Sequence, residues 1–344
     1  MEEKDQKLTN IDQIGEFGLI DVLTKDFVSK NASTTLSIGD DAAIINNQEQ
    51  KTLVSTDMLV EGVHFDLSYF PLKHLGYKAI ISAISDIYAM NGICNQVTVS
   101  IAVSNRFKLE SLKELYSGIK VACNNYKVDL IGGDTTSSNK GLIISVTAIG
   151  VPCKNGFVTR SGANTNDLIV VSGNLGGAYL GLQVLEREKQ VFLVNPNSKP
   201  DLSQYKNLVQ KQLRPEARWD IIKFFQDSNI IPTSMIDISD GLSSEIIHLC
   251  KNSNKGCNIY ENKLPVEEDT IKTAKEFNFE PTTIALSGGE DYQLLFTIKQ
   301  ENLNDVEKNL DLSIIGHMIS KKEMNLITKS GKNIPIKSMG WKSF

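Results

Sequence analysis

Short apolar runs that end in an acid beside glycine, serine or threonine recur six times in these 344 residues, and this recurrence limits the fold more than any other feature of the chain. The stretch "IGDDAA" carries Asp40 and Asp41, "STD" ends at Asp57, "SAISD" at Asp86 and "LIGGD" at Asp134. Later, "IDISD" holds Asp237 and Asp240, and "LSGGED" ends in Glu290 and Asp291. Apolar runs of this kind are buried elements, so the acids stand where buried chain meets a turn. Each alone has an ordinary explanation, because Asp beside Gly, Ser or Thr is common in turns and at helix N-caps. Asp86 is the exception, since it falls inside a helical pattern on a face of small residues (Ala79, Ser82, Ala83, Met90), where a carboxylate needs a partner.

Taken together, the acids ask for a cation. Two carboxylates about 4 Å apart repel by roughly 4 kcal/mol at an effective dielectric near 20. Lysine and arginine are scarce near these motifs. A hard divalent ion is the remaining neutraliser, and Mg²⁺ fits because it takes oxygen ligands, keeps several waters and is shared with nucleotide phosphates. Ser55, Thr56, Thr135 and Ser239 add oxygen donors, while Gly39, Gly132, Gly133, Gly288 and Gly289 let a phosphate approach main-chain N–H groups.

Strand-like runs alternate with longer helical patterns, which predicts an α/β (α+β) protein. Residues 52–60 read as a strand and 74–92 as a helix closed by Gly92. Leu109, Leu112, Leu115, Ile119, Cys123 and Tyr126 recur at helical spacing over 109–126. "VDLIGGD", 142–152 and 168–173 read as strands, 177–189 as a helix, 194–204 as a loop, and 214–227 as a helix with proline near its first turn. The polar, turn-rich 153–167 places a domain boundary near 150–160, which predicts domains 1–152 and 153–344.

A net charge of −5 gives no basic footprint for nucleic acid or an anionic membrane. Five cysteines without a CxxC indicate neither a disulfide framework nor a zinc site. No apolar run reaches 18 residues and the first ten residues are polar, so a cytoplasmic protein is expected. GxxxxGK[ST], HRD, DFG, GxGxxG and GxSxG are all missing, which excludes the P-loop, protein-kinase and nucleophile-elbow machinery.

In their order and spacing, "IGDDAA" (38–43), "STDMLVEGVHF" (55–65), "SAISDIYAMNG" (82–92), "LIGGDTT" (130–136), "TRSGA" (159–163), "RPEAR" (214–218), "IDISDGL" (236–242) and "LSGGEDYQLLF" (286–296) resemble the thiamine-monophosphate kinases, a family of the aminoimidazole ribonucleotide synthetase-like superfamily of ATP-using enzymes. The resemblance implies an N-terminal domain with a ferredoxin-like mixed sheet and helices, a C-terminal α/β domain, and a homodimer formed through the N-terminal domains. It implies ATP-dependent conversion of thiamine monophosphate to thiamine diphosphate by direct transfer with several Mg²⁺, and leaves assistance by K⁺ open. On this chain's positions, Asp41, Ser55, Thr56, Asp57, Asp86, Asp134, Asp237 and Asp240 would hold metal. Tyr126, Gly133, Asp134, Arg160 and Ser239 would contact ATP, and His64, Glu290 and Trp341 the thiamine phosphate. No side-chain base is implied, because the attacking atom is an oxygen of the substrate's own ionised phosphate. Alternatives are a synthetase of the same superfamily acting on an amide or carbonyl oxygen, and a non-catalytic nucleotide-binding scaffold.

Overall fold

The computed structural model describes residues 22–36, 44–46, 51–197 and 200–337. Asp40, Asp41, Gly39 and Trp341 lie outside the described residues. The chain divides into two compact units. One comprises the described residues through Ile87 together with Cys94–Val151, and the other Tyr88–Ile93 together with the described residues from Pro152 on.

The first unit is built on a four-stranded sheet of β3 (Leu53–Val60), β4 (Gly92–Val103), β5 (Asp129–Ser137) and β6 (Ile143–Pro152), in the order β3-β6-β4-β5. β3 runs antiparallel to β6 and β4 parallel to β5, so the sheet is mixed. A small antiparallel pair, β1 (Thr34–Leu36) and β2 (Ile44–Ile45), precedes it. Two 18-residue helices belong to this part of the chain, α1 (Leu72–Ala89) and α2 (Leu109–Tyr126). In α2 the residues at helical spacing, Leu109, Leu112, Leu115, Ile119 and Cys123, are the buried ones, as their periodicity predicts. α1 is buried almost all round, with Leu75, Ile80, Ile81, Ala83 and Ile84 at or below 1% exposure. The helices touch main chain to main chain: a Cβ at Gly76 would lie 2.0 Å from the Leu115 carbonyl oxygen, and one at Gly118 1.8 Å from that of Lys73.

The predicted end of α1 shifts. α1 ends before Gly92, because Asn91 takes the left-handed conformation (φ 53°) that stops it, and Gly92 opens β4. Asparagine tolerates that conformation because its short polar side chain bonds locally. β4 was not anticipated, although Thr98 to Val103 alternates with the period of a half-buried strand.

The second unit holds a seven-stranded sheet ordered β13-β12-β9-β11-β7-β10-β8. Its strands are β7 (Leu168–Ser172), β8 (Ser234–Ile238), β9 (Gly256–Tyr260), β10 (Gln293–Ile298), β11 (Leu312–Ile319), β12 (Met324–Ile327) and β13 (Asn333–Pro335). Its main helices are α3 (Gly177–Val194), α4 (Lys206–Leu213), α5 (Trp219–Asp227), α6 (Leu242–Ser253), α7 (Glu268–Glu276) and α8 (Pro281–Ser287). Ile169, Val171, Ile236, Ile238, Ile246 and Leu295 form the centre of its core, where α6 closes over the strands. α3 runs five residues past its predicted end at 189. α5 starts only at Trp219, so Pro215 lies in the preceding loop, and Arg218 is buried there against Asp220 and Gln293. Among the described residues no helix is long and apolar enough to cross a membrane.

Candidate active site

On β3 the alternation of a strand sorts the motif "STD" between two faces. Leu53, Ser55, Asp57 and Leu59 share one face, with the leucines buried and the polar pair half-buried, while Val54, Thr56 and Met58 are exposed on the other. α1 presents Ser82 and Asp86 four residues apart, hence on one helix face. The hydroxyl of Ser55 donates to Asp86 Oδ2, and Ser82 donates to Asp57, so each carboxylate takes a serine from the opposite element. Ser82 Oγ also lies 3.1 Å from the Ala79 carbonyl, and its one proton serves one acceptor at a time. Burial, and then the charge of Asp86, push the Asp57 carboxyl up to about 6, with the Ser82 hydrogen bond pulling the other way. The mid-helix acid thus has its partner, and the two carboxylates remain in mutual repulsion.

Other predicted residues of this unit stand apart from that pair. Thr56 Oγ1 hydrogen-bonds Thr147 Oγ1 at 2.8 Å on the exposed face, so its hydroxyl cannot join Ser55 and Asp57. Asp134 is exposed on β5, where its Oδ1 accepts the Thr135 N–H at 2.9 Å. β5 and β3 are the two ends of the sheet order, three strand spacings or roughly 14 Å apart, so Asp134 and Asp57 do not converge within one sheet. Gly133 has a packing reason for its identity, because a Cβ there would sit 1.8 Å from the Val99 carbonyl oxygen of the neighbouring strand. His64 is half-buried and its Nδ1 accepts the Val60 N–H at 3.0 Å, which leaves Nε2 as the donor of the neutral ring. Tyr126 is the half-buried last residue of α2. Among the described residues no three His, Cys, Asp or Glu side chains form a group that could hold a metal unaided.

In the second unit, two acid motifs fifty residues apart in sequence become neighbours. β10 pairs with β8 in antiparallel register, Leu294 opposite Asp237, and the pairing continues beyond the strands: the Glu290 N–H donates to the Ser239 carbonyl at 2.7 Å and that of Tyr292 to Ile238 at 2.9 Å. Asp237 is buried at 4% exposure. Asp240 is raised above the usual carboxylate range by burial, and the nearby charges of His248 and Arg160 partly offset this. Glu290 and Tyr292 both adopt left-handed backbone (φ 66° and 49°), a local strain of the kind found where a loop is shaped for a ligand. Glu290 Oε2 accepts from Gln212 Nε2 at 2.7 Å.

Its neighbour Asp291 turns the other way. Its oxygens accept the N–H groups of Gly176 (2.6 Å) and Ala178 (3.2 Å) where α3 begins, and burial pushes its carboxyl up to about 7. The glycine-rich "SGNLGG" is accordingly a strand-to-helix turn whose N–H groups are met by Asp291. Asp291 also lines a cavity of about 380 Å³ with Asn174, Lys211, Arg214, Glu267 and Gln293.

The acids of the first unit fall within residues 39–152, which match the family model for AIR synthase related protein, N-terminal domain. The thiamine-monophosphate kinase of Aquifex aeolicus (strain VF5) is 36% identical over 333 residues, 96% of this chain and 99% of its own length. The chain belongs to the thiamine-monophosphate kinase family. The Bacillus subtilis (strain 168) thiamine-monophosphate kinase is 32% identical over 321 residues, 92% of this chain and 94% of its own. Among solved structures, AaThiL complexed with AMPPCP and TMP aligns with a TM-score of 0.76 at 34% identity, covering 98% of this chain and 99% of that one. The α/β architecture with two sheets agrees with this thiamine-monophosphate kinase relationship.

Sequence reasoning missed three residues around these sites. Ser82 carries a usable signal, its spacing of four from Asp86. Glu245, 3% exposed, accepts the N–H groups of Ser239 (3.2 Å) and Asp240 (2.8 Å), and burial raises its carboxyl to about 7. His248 lies one helical turn further along α6 and is lowered by burial and by the charges of Arg160 and Lys251.

Proposed function

We propose that this chain transfers the terminal phosphoryl group of ATP to the phosphate of thiamine monophosphate, giving thiamine diphosphate and ADP, with several Mg²⁺ bound by its acids. The observation that carries the metal reading is the crossed arrangement of Ser55, Asp57, Ser82 and Asp86: two carboxylates in mutual repulsion, each taking a serine hydroxyl from the opposite element. The donor set is all oxygen, which suits Mg²⁺ and not a thiolate- or imidazole-seeking metal. A pair is enough, because Mg²⁺ commonly takes one or two carboxylates and completes its shell with water and substrate phosphate. Asp41, Asp237 and Asp240 would add ligands, Asp134 would serve an ion other than the one at Asp57, and Thr56 could add only a main-chain oxygen. Bound there, Mg²⁺ would supply the positive charge that lets two anionic phosphates approach.

The chain's own groups then position rather than deprotonate. Arg160, exposed and close enough for its charge to act on Asp240, is suited to grip phosphate with its planar fork, alongside Ser239, Tyr126 and the main chain at Gly133. His64 would donate from Nε2 to the thiamine phosphate, with Glu290 and Trp341 completing its contacts. Transfer between two ionised phosphates needs alignment and charge neutralisation, and no side-chain base.

We further propose a homodimer through the first unit's sheet. Val54 and Met58 are 64% and 55% exposed on one face of β3, an end strand of that sheet among the described residues, and exposed apolar side chains beside an open strand edge favour association with a second copy. Replacing both with glutamate should halve the mass seen by light scattering; an unchanged mass refutes this surface. For the reaction, purified protein with ATP, Mg²⁺ and thiamine monophosphate should yield thiamine diphosphate and ADP in equal amounts. Absence of both at high enzyme concentration refutes the reaction.

A further inference from the structure

Asp237 is the penultimate residue of β8, and the turn from there to α6 carries Ser239 and Asp240, which belong to neither element. Two fixings hold it. On one side the Glu290 N–H takes the Ser239 carbonyl at 2.7 Å. On the other, the single atom Glu245 Oε1 takes the Ser239 N–H at 3.2 Å and the Asp240 N–H at 2.8 Å. A carboxylate in the first turn of a helix ordinarily serves the open N–H groups of that turn or of the N-cap. Glu245 instead reaches back past the N-cap Gly241 to N–H groups five and six residues earlier. It does so from a fully packed position at 3% exposure, while Asp240 itself is half-buried.

Occupied N–H groups are unavailable to a ligand. At Ser239 and Asp240 the turn is therefore not an open main-chain cradle for phosphate, and what these two residues present are the Ser239 hydroxyl and the Asp240 carboxylate. We infer that Glu245 is a positioning residue for the reaction: by holding both N–H groups on one oxygen, it fixes the main chain so that the Ser239 and Asp240 side chains face the nucleotide and its metal. The inference rests on the proposed role of those two side chains, and its structural half stands without it.

The test uses the full chain and the variants Glu245→Ala and Glu245→Gln. Glutamine keeps a carbonyl oxygen for the two N–H groups and removes the charge; alanine removes both. In the ligand-free protein, amide hydrogen exchange at Ser239 and Asp240 should speed up roughly tenfold or more in Glu245→Ala and stay near wild type in Glu245→Gln, with β8 unchanged in both. Calorimetric titration with Mg²⁺ and a non-hydrolysable ATP analogue should show affinity lower by roughly ten- to a hundredfold in Glu245→Ala and restored to within about threefold in Glu245→Gln.

A glutamine variant as impaired as the alanine variant overturns the inference, because the charge and not the hydrogen-bond geometry then matters. So does faster exchange throughout the second unit in Glu245→Ala, which marks a general core residue, or wild-type exchange and affinity in that variant. Should the wild-type protein bind the analogue yet form no thiamine diphosphate, the proposed reaction falls, and the exchange and affinity results still decide the role of Glu245.

Discussion

The two units bury carboxylates in opposite ways. In the second, Glu245 and Asp291 each collect two main-chain N–H groups, and both sit at about 7 chiefly because they are buried. In the first, Asp57 has a serine hydroxyl and faces the charge of Asp86, and rises to about 6 through burial and that repulsion. The size of the displacement does not separate scaffold from site, since burial is the largest cause for all three and a neighbouring carboxylate raises each. The hydrogen-bond partners separate them. A carboxylate met by two main-chain N–H groups is completed by the fold, whereas the Asp57–Asp86 pair, on the function proposed above, would be completed by an ion that arrives.

The sharpest way to break this comparison is Asp86→Ala. Losing a ligand at the proposed metal should lower thiamine diphosphate formation by roughly a hundredfold or more, with the thermal midpoint held or raised. Retained activity would move Asp86 into the scaffold class. Asp291→Ala should do the reverse: the Gly176 and Ala178 N–H groups lose their acceptor at a cost of about 1–3 kcal/mol, lowering the midpoint by several degrees while KM values move little.

The smallest effect is the most diagnostic. The folded-state carboxyl of Asp57 sits at about 6 against an ordinary 3.8. Its contribution to stability is thus fully present below about 3.8 and is lost as pH rises through about 6. Asp57→Asn cannot undergo that loss, so without metal the variant should overtake wild type between pH 4 and 6, by an amount on the order of 1–2 kcal/mol. Thermal melts across that range without and with Mg²⁺ check it, since metal should close the gap by stabilising wild type alone.

Much of this was legible in the sequence. The face of α2 could be read from Leu109, Leu112 and Leu115 because helical burial has a period, and the pairing of Asp86 followed from a charge inside a packed helix. Thr56 shows the limit of a motif: three consecutive residues look like one ligand set, but a strand turns every second side chain away. Glu290 and Asp291 show another limit, for adjacent acids took different duties because the N–H groups that claim Asp291 lie 115 and 113 residues away in sequence. Such long-range partners leave no local signature. The late end assigned to α1 comes from trusting glycine as the stop when asparagine one residue earlier can supply the same left-handed backbone.

The crossing of α1 and α2 at Gly76 and Gly118 bears on how this protein can drift. Because the two helices rest on each other's main chain, the placement of α1, and with it Asp86, is expected to depend on that contact more than on the bulk of any side chain between them. Trading Ile80 for valine or Leu112 for methionine should then erode stability while leaving metal affinity untouched. Replacing either glycine should do the opposite of what its small size suggests, displacing a carboxylate ten residues or more away. Mutational tolerance in this unit is expected to follow that division, with a permissive interior built around an intolerant pivot.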